Sequence, residues 1–368
     1  MQRYAVIMAG GSGERFWPAS RRARPKQLLR LTDPDHTMLG EAIARIAPLI
    51  PQSHVLIATN EILTEPIRKA LPQMPHENVI AEPAKRNTAA CLALAAAHLR
   101  VRHGDTPVAM AVLTADHKIT DVERFRQTVD AALSFAEQST TLVTIGVRPT
   151  RPETGYGYIE IDTKLANAEG PPSTADIRPV ACFREKPDFA TAREFATSGR
   201  HLWNSGMFFW RSDAFDAGLA NHMPALAAAV PILVEAIKAG DPATLQRAFE
   251  ALEDVSIDVG LLERAANVHV IPASFGWDDV GAWDALSRTR ECDASGNVAT
   301  GEPVLIDAQN CIVYNEAGAD RMAVAVIGVN DLVVATTPDA VLVCARDRVQ
   351  DVRRAVAELR RTGRTSKT

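Results

Sequence analysis

The stretch Tyr4-Ala5-Val6-Ile7-Met8-Ala9-Gly10-Gly11-Ser12-Gly13-Glu14-Arg15-Phe16, followed by Pro25-Lys26-Gln27, decides how the chain is read. A short apolar run stops abruptly in glycines. Such a run reads as a buried strand. Gly10, Gly11 and Gly13 can present backbone N–H groups and let phosphate oxygens come close. Arg15 and Lys26 add the positive charge that a triphosphate needs. Two familiar phosphate loops do not fit. A Walker loop ends in Gly-Lys-Ser/Thr, which is absent, and a dinucleotide fingerprint needs glycine where Phe16 stands. A plain tight turn is the bland alternative, and the spacing of Arg15, Pro25 and Lys26 argues against it.

Outward from this loop, helix and strand patterns alternate. Met38 to Ile50 puts Leu39, Ile43 and Ile46 on one helical face, with Pro51 as the stop. His54 to Thr59, Pro107 to Leu113 and Thr141 to Val147 read as strands. Asn87 to Arg102 reads as a helix. Asp121 can cap another, lined by Val122, Phe125, Val129 and Leu133. The expected fold is α/β: a doubly wound, Rossmann-like parallel sheet with ligands at the carboxyl ends of its strands. Further on, Tyr156 to Ile161 reads as a half-buried strand, 166–174 as an exposed loop, Trp203 to Trp210 as an aromatic strand and 212–252 as mainly helical. A boundary is expected near Glu291 to Gly301, giving a catalytic domain at 1–290. A small β-helix-like domain with a terminal helix would follow at 291–368.

The chain has 368 residues, 46% hydrophobic and 23% charged, with a formal net charge of −5. That acidic balance argues against a nucleic-acid partner. No apolar run approaches the ~20 residues of a membrane helix, and the N-terminus does not read as a signal peptide. Five scattered cysteines within apolar stretches read as buried thiols in a reducing compartment. The expectation is a cytoplasmic protein with no membrane partner. No Ser-His-Asp or Cys-His arrangement for nucleophilic catalysis is evident.

The glycine-rich stretch and Pro25-Lys26-Gln27 resemble the signature of sugar-1-phosphate nucleotidyltransferases, most of all the mannose-1-phosphate guanylyltransferases. Glu82-Pro-Ala-Lys-Arg-Asn-Thr-Ala, Leu113-Thr-Ala-Asp-His, Gly155-Tyr-Gly-Tyr-Ile, Glu185-Lys-Pro, Trp203-Asn-Ser-Gly-Met-Phe, Ser256-Ile-Asp and Gly276-Trp-Asp-Asp-Val-Gly follow in the family's order. Thr114 and Ala90 stand where the family commonly has proline.

The resemblance implies transfer of GMP from GTP to mannose 1-phosphate, with Mg²⁺. It implies Asp116 and Asp279 as metal ligands, with Asp278 as the adjacent rival. Hard carboxylate oxygens suit that cation. Arg15, Lys26 and Lys186 carry the catalytic roles: Arg15 and Lys26 hold the triphosphate, and Lys186 the sugar phosphate. Arg21, Arg22 and Arg24 read as solvated charge. Ala9, Gly10, Gly11, Gly13, Glu82, Arg86 and Asn87 are the nucleotide-binding candidates, though Asn87 can equally cap the helix that follows. Gly155, Glu185 and Asn204 are the sugar candidates. His117 takes a structural role, because a phosphate oxygen needs no general base. Trp277 and Trp283 are expected to pack the loop that carries Asp279.

Other nucleotide or hexose specificities, or a non-catalytic nucleotide-sugar sensor, are the alternatives. Larger members of the family append an isomerase domain beyond the position of Thr368, so no isomerase activity is expected. The small β domain suggests a homodimer contact.

Overall fold

The computed structural model describes residues 1–162 and 177–368, so the expected loop at 166–174 lies outside the described residues. In chain order the first part runs β1 (Arg3–Met8), α1 (Met38–Ile46), β2 (Val55–Asn60), α2 (Glu61–Ala70), β3 (Val79–Glu82) and α3 (Asn87–His103). Then come β4 (Ala109–Thr114), β5 (Lys118–Ile119), α4 (Val122–Glu137) and β6 (Leu142–Val147). Next are β7 (Tyr158–Ile161), β8 (Arg178–Arg184), α5 (Phe189–Thr197), β9 (His201–Arg211), α6 (Ser212–His222), α7 (Pro224–Ala239) and α8 (Pro242–Glu250). Strands β10 (Val268–Pro272) and β11 (Trp277–Asp278) and helix α9 (Leu286–Thr289) complete this part.

Nine strands form one sheet in the order β3-β2-β1-β4-β9-β6-β10-β8-β7. Successive side chains of β1 point to opposite faces. Tyr4 and Val6 join a core with α3 and α7, while Ala5 and Ile7 join a second core with α1, α2 and α4. The result is a three-layer α/β domain. The cap anticipated at Asp121 is made, and α1 has one as well. Asp121 accepts from Arg124 N at the start of α4, and Thr37 from Gly40 N at the start of α1. Helix α1 ends at Ile46; the chain then turns, with Leu49 and Ile50 N–H groups on the Ile46 carbonyl, before Pro51.

The pairings β3-β2-β1-β4 are parallel, as the alternating pattern implies. Strand β9 instead runs antiparallel between β4 and β6. Its Phe208 and Trp210 face one core and Phe209 the other. A strand buried on both faces carries no alternation from which its direction could be read.

A further correction concerns the cysteines. Cys91 and Cys311 are buried, but Cys182 and Cys292 are exposed. On β8, Phe183 faces the core, so its neighbour Cys182 points the other way.

Beyond α9 the chain winds through β12 (Val298–Thr300), β13 (Val304–Ile306), β14 (Ile312–Asn315), β15 (Ala325–Ile327), β16 (Leu332–Thr337) and β17 (Ala340–Ala345). β12, β14 and β16 stack in parallel, and so do β13 and β15. Successive turns of a β-helix produce this pattern. β17 folds back antiparallel on β16. A 3₁₀ segment, Arg346–Asp351, leads into α10 (Val352–Arg361). Val352 and Val356 of α10 share a core with Phe16, Trp17 and Trp283. The last helix therefore packs directly against the glycine-rich segment.

Trp283 is the centre of that junction. It is fully buried, and its ring meets Phe16 and Tyr314, each at 5.2 Å between centroids. Its indole N–H donates to the Trp17 carbonyl at 3.0 Å. Trp283→Ala should cost about 3–5 kcal/mol in urea denaturation, and Trp283→Phe about 1 kcal/mol. An unchanged midpoint for the alanine variant would show that the junction does not carry this load.

Candidate active site

Lys26 organises the site. Its side chain is only 6% exposed, yet its ammonium reaches Asp116 Oδ2 at 2.9 Å and the Asp279 carbonyl at 2.6 Å. Three distant segments supply these groups. Lys26 follows the glycine-rich loop, and Asp116 follows β4. Asp279 follows β11, which pairs with β5 in the register Asp278↔Lys118 and Trp277↔Ile119. That two-stranded pairing brings the Asp279 loop beside Asp116. Burial pushes the Asp116 carboxyl up, but the charge and hydrogen bond of Lys26 together with smaller contributions leave it below its usual range.

Gly13 lets Lys26 sit where it does. Its φ is +60°, and a β-carbon there would lie 2.5 Å from Lys26 Cβ and 2.7 Å from Lys26 N. Ala9 is pinned from three sides. Its N–H donates to Ala58 O at 2.8 Å, and its carbonyl accepts from Gln27 Nε2 at 2.6 Å and Thr59 Oγ1 at 3.0 Å. Arg15 Nη1 donates to the Gly281 carbonyl at 2.8 Å.

The two adjacent aspartates have different partners. Asp278 takes Arg288 Nε at 2.6 Å and the Val280 N–H at 2.8 Å. Asp279 Oδ1 accepts from the Tyr156 hydroxyl at 2.6 Å. Burial and then Asp279 push the Tyr156 phenol far above its ordinary value, so it stays a donor. His117 Nδ1 accepts from Trp277 Nε1 at 3.0 Å, and desolvation lowers its pKa to about 4. A neutral imidazole fixed by an indole is a packing element, as expected. The expected packing of both tryptophans is also present: Trp277 lies against Tyr156 and Trp203, and Trp283 in the junction described above.

A cavity of about 370 Å³ opens at the carboxyl ends of β1 and β4. Ala9, Gly10, Gly11, Glu82, Asn87 and Asp116 are among its lining residues. Desolvation raises the Glu82 carboxyl to about 7. Two neighbours have protein partners of their own. Arg86 lines the cavity, and its guanidinium donates to the Glu250 carbonyl at 2.6 and 3.0 Å. Asn87 holds φ at +64°, and among the described residues its side chain bonds the next N–H, that of Thr88, so it makes no standard helix cap.

On the other side of the Asp279 loop lie the sugar candidates. The Asn204 amide is fixed in orientation. Its oxygen accepts from Gly206 N at 3.1 Å and its nitrogen donates to Asp258 Oδ1 at 2.7 Å. Burial, then the Glu185 charge, raises Asp258 to about 6. Among the described residues Glu185 Oε2 is buried without a hydrogen bond, and a β-carbon on Gly157 would lie 2.4 Å from it. Lys186 has φ +46°, is 64% exposed and pairs with Glu185 at 3.0 Å. Gly155 is exposed, its N–H held by Glu153 at 3.2 Å, and it is Gly157 that abuts Glu185 and Asn204.

The nucleotidyl transferase family model matches residues 4–295. The chain belongs to that family. A second model, of the MannoseP isomerase/GMP-like beta-helix domain, matches residues 301–359. The chain is 39% identical to a mannose-1-phosphate guanylyltransferase of Escherichia coli, over 98% of this chain and 74% of that protein. It is 36% identical to an alginate biosynthesis protein of Pseudomonas aeruginosa, over 98% of this chain and 73% of that protein. A solved Thermus thermophilus structure, described as a mannose-1-phosphate geranyltransferase, is 36% identical with a TM-score of 0.84. That match covers 98% of this chain and all of the other. A Helicobacter pylori mannose-6-phosphate isomerase, 23% identical with a TM-score of 0.58, shares the fold alone.

Within this nucleotidyl transferase, sequence reasoning passed over Tyr156, Gly157 and Asp258. All three lie inside quoted motifs, so the signal was present, but it named no partner. Tyr156 reads as a strand aromatic until Asp279, far along the chain, is seen to bond its hydroxyl.

Gly13 and Gly11 should separate cleanly. Gly13→Ala meets both the backbone strain and the Lys26 contact, and should destabilise the fold by about 1–3 kcal/mol. Nothing lies within 4 Å of a β-carbon on Gly11, so Gly11→Ala should stay within about 0.5 kcal/mol of wild type. Chemical denaturation of both variants checks this. Equal effects would refute the account of Gly13.

Proposed function

We propose that this chain transfers GMP from GTP to the phosphate of α-D-mannose 1-phosphate, releasing pyrophosphate and forming GDP-mannose. The observation that carries the reading is the Lys26 ammonium held between Asp116 and the Asp279 loop beneath a glycine-rich turn. The choice of GTP and mannose rests on the names of the relatives. The reaction joins two anions, so the protein must supply positive charge and alignment rather than a nucleophile. Lys26 and Arg15 offset charge on the triphosphate as it approaches. A mannose 1-phosphate oxygen attacks the α-phosphorus, the bond to the α–β bridging oxygen breaks, and the electron pair leaves with pyrophosphate. The attacking oxygen is already anionic, and the neutral His117 fits the lack of any need for a base.

We assign Asp116 and Asp279 as the ligands of a divalent cation, Mg²⁺. Asp278 is committed to Arg288, whereas Asp279 faces Tyr156 and keeps its second oxygen without a protein hydrogen bond among the described residues. Two carboxylates with phosphate oxygens and water make a donor set that this hard cation accepts. When bound, it supplies further neutralisation of the phosphate charge. Glu82, Asn87 and the main chain of Ala9, Gly10, Gly11 and Gly13 hold the nucleotide. Glu185 and Asn204 orient the sugar, and the exposed Lys186 swings to its phosphate.

The domains divide at 1–290 and 291–368, supported by where the two family models meet and where β12 begins. The exposed Val304, Ile306, Ile327, Val341 and Val343 on the β-helix favour pairing with a second copy of the chain. No helix among the described residues is long and apolar enough to cross a membrane. All five cysteines are free thiols, which suits the reducing cytoplasm.

Pyrophosphate release measured with four nucleoside triphosphates and several hexose 1-phosphates should peak for GTP with mannose 1-phosphate, and only with magnesium present. Asp116→Ala and Asp279→Ala should each lower kcat by about 100-fold or more with the fold retained. Release with no pair of substrates would end the enzymatic reading. Unimpaired turnover by either variant would end the metal assignment.

Glu82 gives a pH test. Its carboxyl is raised to about 7, and only its ionised form accepts from two guanine N–H groups. The KM for GTP should therefore fall as pH rises through about 7. Glu82→Gln should raise that KM and flatten the profile. A variant that keeps the wild-type profile would remove Glu82 from base recognition.

A further inference from the structure

Helix α10 carries more arginine than its packing uses. Val352 and Val356 dock it on the segment of Phe16 and Trp17. Arg360 pairs with Glu14 at 2.7 Å, and Trp17 Nε1 donates to the Lys367 carbonyl at 2.7 Å just beyond the helix. Arg354 and Arg361 pair with acids of their own segment, Asp351 and Glu358. Arg353 has no ion pair or hydrogen bond among the described residues, and it is exposed.

Helical spacing sets its direction. Arg353 lies three residues before Val356, and Arg360 lies four after it, so all three share one face. Val356 and Arg360 border a cavity of about 110 Å³ together with Gly10, Ser12 and Glu14. Arg353 does not border that cavity itself, but Val352 beside it packs in one core with Phe16 and Trp17, so the start of α10 lies against the segment that carries Arg15. Arg15 feels the consequence. Burial, and next the charge of Arg353, hold its guanidinium below the usual range. A protein that needs two cations close together, with no acid on one of them, leaves them for an anion from outside.

We propose that Arg353, contributed by the C-terminal domain, contacts the β- and γ-phosphates of the bound nucleotide and the departing pyrophosphate from the side of Arg15. The inference rests on the nucleotidyl-transfer reading for its substrate. As the bond between the α-phosphorus and the bridging oxygen breaks, that oxygen takes the electron pair and the leaving group gains charge. A fork of N–H donors on that side stabilises the gain. The β-helix domain is then part of the catalytic apparatus as well as of the fold.

The test uses the full chain and inorganic pyrophosphate as the probe. Calorimetric binding is compared for wild type, Arg353→Gln, Arg353→Lys and Arg354→Gln. Arg353→Gln should weaken pyrophosphate about tenfold and make its salt dependence shallower. Arg353→Lys should recover part of the loss, and Arg354→Gln should match wild type. In steady-state assays, Arg353→Gln should raise the KM for GTP and leave that for mannose 1-phosphate unchanged.

Pyrophosphate binding by Arg353→Gln equal to that of wild type overturns the proposal. So does an absence of binding by wild type, or a parallel rise in both KM values with a lowered Tm, which would mark a helix-docking role. If wild type binds pyrophosphate through Arg353 but turns over no substrate pair, the contact stands and the assigned reaction falls.

Discussion

A buried ammonium must be paired, and in this chain the pairing of Lys26 draws the site together. An unpaired lysine at that depth would lose its proton or pull water inward. Here Asp116, at the end of β4, and the Asp279 carbonyl, just after β11 of the two-stranded pairing, satisfy it. The glycine-rich turn can lie low over the lysine only because Gly13 has no side chain. The β5–β11 pairing can bring its loop to the same point only because β4 and β10 end on the same side of the sheet. The glycine-rich turn, the two aspartate segments and the sheet topology thus meet at one buried ammonium.

Much of this was legible in the sequence where residue type and local spacing decide the outcome. The β1–loop junction, the helix cap at Asp121, and the turns of the C-terminal β domain follow from patterns a few residues long. Lys26 was singled out by its charge beside the glycine-rich loop, Asp116 and Asp279 through family resemblance, and the fold sets the Lys26 ammonium on the Asp116 carboxylate and the Asp279 carbonyl. What was not legible depends on pairings distant in sequence. The hydroxyl of Tyr156 and the carboxylate of Asp279 are 123 positions apart, and Asn204 and Asp258 are 54 apart. No periodicity encodes such a contact. Arg86 shows the converse. Its motif and charge suggest a ligand contact, yet the end of α8 offers a carbonyl to which the guanidinium donates.

The adjacent pair Asp278 and Asp279 shows why spacing alone leaves alternatives open. Neighbours at the end of a strand project to opposite sides. One must face Arg288 and the other Tyr156, and only the register of β11 against β5 decides which. The same limit applies to the strand directions. β9 is apolar on both faces, so its sequence gives the burial but not the sense in which it runs.

The junction between the two parts of the chain changes how the C-terminal β-helix is understood. A small β domain with little core of its own needs a surface to lean on. It leans on Trp283, Phe16 and Trp17, the last two directly after the glycine-rich turn. Any shift of the β-helix is therefore transmitted to Arg15, because Phe16 is the next residue in the chain. A scaffold that only needed stability could have docked on any apolar face of the large domain. Docking on the glycine-rich turn gives α10 a fixed position beside the candidate site, and the role proposed for Arg353 depends on that position.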